Sequence, residues 1–194
     1  YEKPVVLALP RGGVPLGVEV ARALGAPLVL VLVRKIGLPF QPELALAAVV
    51  DGDHPEVVVN EDVRALSGMS DRAFETAKAR GLAEIERRRA LYLEGNDQVD
   101  IEGATAVVVD DGIATGATVR AALKALRRAQ PAKLVLAVPV APAQTVESLR
   151  GEVDELVCLE TPRPFYAIGA YYGDFGQVGD DEVIALMAQA RGSR

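Results

Sequence analysis

The sequence predicts an α/β fold built on a doubly wound, mainly parallel sheet. Short Val, Leu and Ala runs alternate with segments of helical period, the pattern of strands buried on both faces between crossover helices. Gly, Pro and Asp punctuate the strand ends, where such a sheet turns into its helices. The composition of the 194 residues, 50% hydrophobic and 25% charged, is that of a globular protein. Neither a repeat nor an obvious linker interrupts the pattern, so residues 1–194 read as one domain.

The elements follow in order. Val5 to Leu9 is an apolar run ended by Pro10, and the loop through Arg11, Gly12 and Gly13 leads into a helix from about Val14 to Leu24. Leu28 to Val33 is the second strand, followed by Arg34-Lys35 and a loop from Gly37 to Pro42. Leu46 to Val50 and Glu56 to Val59 flank Asp51-Gly52-Asp53-His54-Pro55, which reads as a hairpin turn. From Ser70 to about Leu93, Phe74, Ala77, Gly81, Ile85 and Tyr92 recur at helical spacing behind a Ser70 cap. Ala104 to Val109 is the third buried strand and Asp110 to Thr118 a loop. Val119, Ala122, Leu123 and Leu126 then line a helix that must stop before Pro131. Leu134 to Val138 and Leu156 to Leu159 are further strands, with a short helix from Thr145 to Leu149 between them. A tail from Thr161 to Gly179 precedes a closing helix from Asp180 to about Ala190.

Composition removes several function classes. The formal charge of −6 leaves no basic surplus for a nucleic-acid backbone. A lone cysteine, Cys158, cannot make an internal disulfide or a cysteine-based zinc site, and a lone histidine, His54, argues against a His-dependent triad. No apolar run reaches the length of a membrane span. The expected protein is soluble and cytoplasmic, with no nucleic-acid or membrane partner.

The densest chemistry lies in the thirteen residues Val107 to Val119. A valine strand ends in two adjacent carboxylates, Asp110 and Asp111, which at a turn can both reach one polyol. Gly112 and Gly116 let the backbone curl so that N–H groups converge, and the Thr115 and Thr118 hydroxyls and a helix amino terminus add donors. The shape suits a phosphate beside a sugar diol. An acidic turn before an ordinary helix cap is the plainer alternative. A nucleotide P-loop is excluded because Ala117 stands where its lysine belongs, and no G-x-G-x-x-G follows the first strand.

These thirteen residues resemble the phosphoribosyl-diphosphate signature of type I phosphoribosyltransferases, and the order of elements from Val5 onward is similar to that fold. The resemblance is closest to a bacterial group of unassigned substrate that shares Leu9-Pro10-Arg11-Gly12-Gly13, the Arg34-Lys35 pair and a Gly-Ala-Tyr-Tyr-x-Asp-Phe tail. In that group a helix precedes the first strand, which here would lie ahead of Tyr1. On this resemblance the chain carries a long helical insertion over about 60–95 and a small C-terminal hood over about 160–179.

The resemblance implies roles. Asp110 and Asp111 hold the ribose hydroxyls, and Gly112, Ile113, Ala114, Thr115, Gly116, Ala117 and Thr118 wrap the 5′-phosphate. Ala114 matches adenine enzymes, so that position supplies no general base. Arg11, Gly12 and Gly13 form the diphosphate loop, with a cis peptide between Pro10 and Arg11 expected by analogy. Arg34 and Lys35 belong to a loop closing over the departing diphosphate, and Glu43 at its far end could move a proton. In the hood, Tyr166, or else Phe165, stacks on the acceptor base, and Arg163 could read an oxo group. Asp174 joins Asp110 and Asp111 in assisting Mg2+. The partners implied are phosphoribosyl diphosphate and a small nitrogenous base, in a homodimer.

Other features read as structural: Glu86 to Arg89 as a solvated helix face paired with Glu84, and Cys158 as buried and inert. Two further functions stand beside transfer. One is a sensor that binds the same metabolite without catalysis. The other is an accessory domain of a hydrolase, although no G-x-S-x-G elbow is present.

Overall fold

In chain order the elements are β1 (Pro4–Ala8), α1 (Gly13–Leu24), β2 (Leu28–Leu30), β3 (Val33–Leu38), β4 (Gln41–Val50), β5 (Glu56–Val59), α2 (Glu61–Leu66) and α3 (Asp71–Tyr92). There follow β6 (Thr105–Val109), α4 (Ala117–Arg128), β7 (Lys133–Val140), α5 (Ala143–Leu149), β8 (Glu155–Glu160) and α6 (Asp180–Gly192). The computed structural model describes residues 1–38, 41–51, 56–92 and 99–192. His54 and its turn lie outside these residues.

Five strands form a parallel sheet in the order β2-β1-β6-β7-β8. Alternate side chains feed two cores. Val5, Leu7, Val108, Leu134 and Leu136 share one with Val119 and Leu123 of α4, while Val6, Ala8, Val107 and Val109 share the other with Val14 of α1 and Met187 of α6. From β1 the chain winds outward to β2 and later returns on the opposite side to β6. The carboxyl ends of β1 and β6 therefore flank the topological switch point, where open α/β sheets bind ligands.

The expected second strand and loop are corrected here. β2 ends at Leu30, and Val33–Leu38 forms a separate strand of a second, antiparallel sheet, β3-β4-β5. Arg34 and Lys35 lie inside β3, opposite Val49 and Ala48, rather than in a loop. A charged pair reads as a strand end in sequence, but an antiparallel ladder accommodates it while Ile36, 5% exposed, anchors the strand. The expected hairpin is present as β4 and β5, paired from Val50↔Glu56 to Ala47↔Val59.

This sheet is covered on both faces. Ala48 and Val50 share the core that contains α4, whereas Ala47, Val49 and Ile36 share the other with Ile85 of α3. Helix α3 lies close because Gly81 has no side chain: a Cβ there would sit 3.0 Å from Val49 Cγ2. Ser70 caps α3 as expected, its Oγ accepting from Ala73 N–H at 3.3 Å. The expected pairing with Glu84 is present, with Arg87 Nε 3.0 Å and Arg88 Nε 2.8 Å from it. Only Glu86 and Arg87 are exposed, however, whereas Arg88 and Arg89 are half-buried and Arg89 lies 3.5 Å from Asp51.

Cys158 is only half-buried, because β8 is an edge strand, and its thiol donates to the Glu160 carbonyl at 3.3 Å. Among the described residues no helix is long and apolar enough to cross a membrane.

Candidate functional site

Two loops meet at the switch point. Residues 9–12 join β1 to α1, and residues 110–116 join β6 to α4. Leu9 N–H donates to the Val109 carbonyl at 3.0 Å, and Gly13 N–H closes the first loop onto the Leu9 carbonyl at 3.0 Å. The Pro10-Arg11 peptide bond is cis. Both glycines answer a close approach. A Cβ on Gly12 would fall 1.8 Å from Asp111 Oδ2, and one on Gly13 would fall 2.6 Å from the Val109 carbonyl oxygen. The backbone of the first loop thus lies directly against the carboxylate of the second.

Asp110 Oδ1 accepts from the Asp111 N–H at 2.9 Å. Burial raises the Asp110 carboxyl well above the usual range, and the neighbouring charge of Asp111 adds to the rise. Burial also raises Asp111, against the opposing pull of its backbone amide. Two adjacent carboxylates that make no ion pair among the described residues are costly, and a sugar diol or a divalent cation relieves that cost. Mg2+ commonly takes one or two carboxylates and completes its shell with substrate phosphates and water. The donor set fits that mode. It does not fit an all-protein cage, since among the described residues no three His, Cys, Asp or Glu side chains converge. Asp174 is exposed in the tail and joins no such group.

The loop after the acids is pinned from behind. Ile113, 2% exposed, donates its N–H to the Val140 carbonyl at 3.0 Å, and Thr145 Oγ1 donates to the Ala114 carbonyl at 2.9 Å. Gly116 adopts φ +79°, a conformation that favours glycine, and turns the chain into α4. Ala117 and Thr118 accordingly belong to the first helical turn rather than to the loop. Ala114 and Thr115 are exposed, and among the described residues the N–H groups of 114–119 meet no protein acceptor. Unpaired amides at the amino end of a twelve-residue helix favour an anion.

Arg11 reaches the same rim, with Nη1 3.4 Å from Asp180 Oδ1. The Arg34-Lys35 pair is divided between the two faces of β3. Successive strand residues point to opposite faces, so Lys35 shares the α4 face with Ala48 while Arg34 shares the α3 face with Val49. Glu43 lies in β4, and its side chain is outside the described residues.

The tail folds over the second loop. Ile168 packs on Gly112, where a Cβ would come within 2.7 Å of Ile168 Cγ2. Tyr172 donates its hydroxyl to the Asp111 carbonyl oxygen. Tyr166 is 78% exposed, and Phe165 is half-buried and stacked on Tyr171 with centroids 5.5 Å apart. Sequence reasoning missed Tyr172 and Asp180 as site residues. The tail motif pointed to the first only as one of several aromatics, and no local signal marked the second.

The chain is similar to known proteins. A family model described as phosphoribosyl transferase domain matches residues 1–172. Two Mycobacterium tuberculosis proteins, provisionally named phosphoribosyl transferases, are each 46% identical over 186 residues, covering 96% of this chain and 42% of the relative. The chain thus spans less than half the length of these curated relatives. A crystal structure from Thermus thermophilus superposes with a TM-score of 0.79 at 42% identity, over 97% of this chain and 88% of that one.

Proposed function

The chain belongs to the phosphoribosyl transferase domain family, and on that premise we propose that it transfers 5-phosphoribosyl from its diphosphate to a small nitrogenous base, releasing pyrophosphate. In this reading Asp110 and Asp111 hold the ribose diol. In the loop of residues 112–118 the amides from Ala114 onward and the Thr115 and Thr118 hydroxyls hold the 5′-phosphate, while the Ile113 amide pins the loop to Val140. Arg11 and the backbone of Gly12 and Gly13 hold the diphosphate. The bond from C1′ to the diphosphate oxygen breaks as the acceptor nitrogen bonds to C1′. Positive charge develops on the sugar, so catalysis is positioning and electrostatic stabilisation. Mg2+, held by Asp110 and Asp111 together with the diphosphate, would neutralise charge on the leaving group. The hood aromatics, Tyr166 first and then Phe165, cover the acceptor. We read the described elements as one domain. The homodimer rests on the family resemblance, and the cytoplasmic location on the composition.

The observation that carries the proposal is the nesting of Gly12 against the Asp111 carboxylate, which sets diphosphate loop and diol acids side by side. The test is incubation with phosphoribosyl diphosphate, Mg2+ and a panel of purine and pyrimidine bases, read as pyrophosphate release. Release that depends on one base supports transfer. Tight donor binding without release under any base supports the alternative, a phosphoribosyl diphosphate sensor. One observation favours that alternative: Arg34 and Lys35, expected to stabilise the leaving group together, lie on opposite faces of β3.

A further inference from the structure

The Arg11 guanidinium is held from a distant part of the chain. Asp180, the first residue of α6, lies 169 positions away and contacts Arg11 Nη1 through Oδ1 at 3.4 Å. The same Oδ1 accepts the hydroxyl of Tyr92, the last residue of α3, whose side chain is almost wholly buried at 4% exposure. Three elements therefore join at one carboxylate oxygen: the loop after β1, the long helix of the insertion and the closing helix. The Arg11 and Asp180 side chains are 41% and 37% exposed, so an isolated ion pair here contributes little stability. Its geometry is more informative than its strength. The contact uses one nitrogen of a planar fork with five N–H donors, and among the described residues the Arg11 guanidinium makes no other hydrogen bond.

We propose that Asp180, itself fixed by Tyr92, is a positioning residue that orients the Arg11 guanidinium toward the diphosphate of the bound donor. This rests on the transferase or sensor reading of the site, in which Arg11 meets the diphosphate. A carboxylate held at the amino end of a helix by a buried phenol is a rigid anchor, and it fixes one edge of the fork while leaving the other to an incoming anion. Both neighbouring groups keep the required protonation state. The Tyr92 hydroxyl, pushed up to about 12 by burial and then by Asp180, stays a donor, and the Tyr92 hydrogen bond holds Asp180 below its ordinary value. The positive fields of Arg11 and Arg87 also favour the Asp180 anion.

The test is a double-mutant cycle on Arg11→Ala and Asp180→Asn, read as donor affinity by calorimetry with phosphoribosyl diphosphate and Mg2+. Asp180→Asn is expected to weaken binding about fivefold in the parent and to have no effect once Arg11 is Ala. Tyr92→Phe should weaken binding by a smaller factor, and Asp180→Glu should restore part of the loss. Equal losses from Asp180→Asn in both backgrounds would mean that Asp180 acts other than through Arg11 and would overturn the proposal. Tighter binding by Asp180→Asn would overturn it too, showing an internal competitor rather than an orienting group. If the parent protein binds no donor, the reading of the site itself fails. If the parent binds and Asp180→Asn binds equally well, only the positioning role fails.

Discussion

The phenolic hydroxyl of Tyr172 donates to the backbone carbonyl of Asp111, 61 residues away, and so ties the C-terminal tail to the residue that presents one of the two half-buried acids. The Tyr172 ring leans on Phe175 at 5.0 Å between centroids, and Ile168 closes on Gly112. The proposed acceptor cover and sugar cup are therefore in direct contact. Burial, and then the fields of Asp111 and Asp110, push the Tyr172 phenol up to about 12, so it remains a donor at neutral pH.

Tyr172→Phe keeps the ring contact and strands the Asp111 carbonyl. We expect a loss of about 1 kcal/mol in urea unfolding, the usual net value of one such hydrogen bond. An unchanged denaturation midpoint would mean that the tail is held by its apolar contacts alone.

Gly12 and Gly13 separate binding from stability. Gly13→Ala drives a Cβ to 2.6 Å from a backbone oxygen and 3.0 Å from Asp110 Cα, atoms that cannot swing aside. A destabilisation of about 2 kcal/mol is expected. Gly12→Ala instead meets the end of the Asp111 side chain, which can rotate away. This variant should fold nearly as well as the parent but bind phosphoribosyl diphosphate at least about tenfold more weakly, a loss of roughly 1.4 kcal/mol. Parent-like donor affinity in Gly12→Ala would separate Asp111 from the ligand.

The raised Asp110 carboxyl predicts a pH dependence of definite sign. Its folded value lies above its unfolded one, so the folded state binds a proton that the unfolded state has already released. The stability this group contributes is present below the unfolded carboxylate range, about pH 4, and is lost as pH rises through the folded value. In the presence of a chelator, Asp110→Asn should melt higher than the parent at neutral pH, with the gap closing as the pH falls toward 4. A gap that widens on acidification would contradict the assignment of burial as the cause.

Tyr166 is exposed enough to be tested cleanly. Tyr166→Ala should leave stability within about 0.5 kcal/mol and raise the KM for the acceptor several-fold while leaving that for the donor unchanged. An unchanged acceptor KM would transfer the stacking role to Phe165, whose ring already packs against Tyr171.

Much of this site was legible because its parts are local. Asp110, Asp111 and the turn through Gly116 sit in thirteen consecutive residues whose types follow one another as strand, acids, loop and helix start. The Pro10-Arg11-Gly12-Gly13 loop was equally readable, since its glycines abut the strand that precedes them. The parallel sheet followed from its apolar runs for the same reason. Strand β3 was misread because Arg34 and Lys35 interrupt the apolar pattern, while the ladder that makes them a strand is supplied by β4 across a hairpin. Tyr172 and Asp180 escaped because their partners lie 61 and 169 positions away, and no periodicity encodes such pairings.

The most direct measurement is a crystal structure with phosphoribosyl diphosphate and Mg2+. The account predicts the 5′-phosphate within hydrogen-bonding distance of the N–H groups of residues 114–118, with the ribose diol on the carboxylates of Asp110 and Asp111. Donor bound anywhere else on the chain, or these two acids turned away from the sugar, would contradict it.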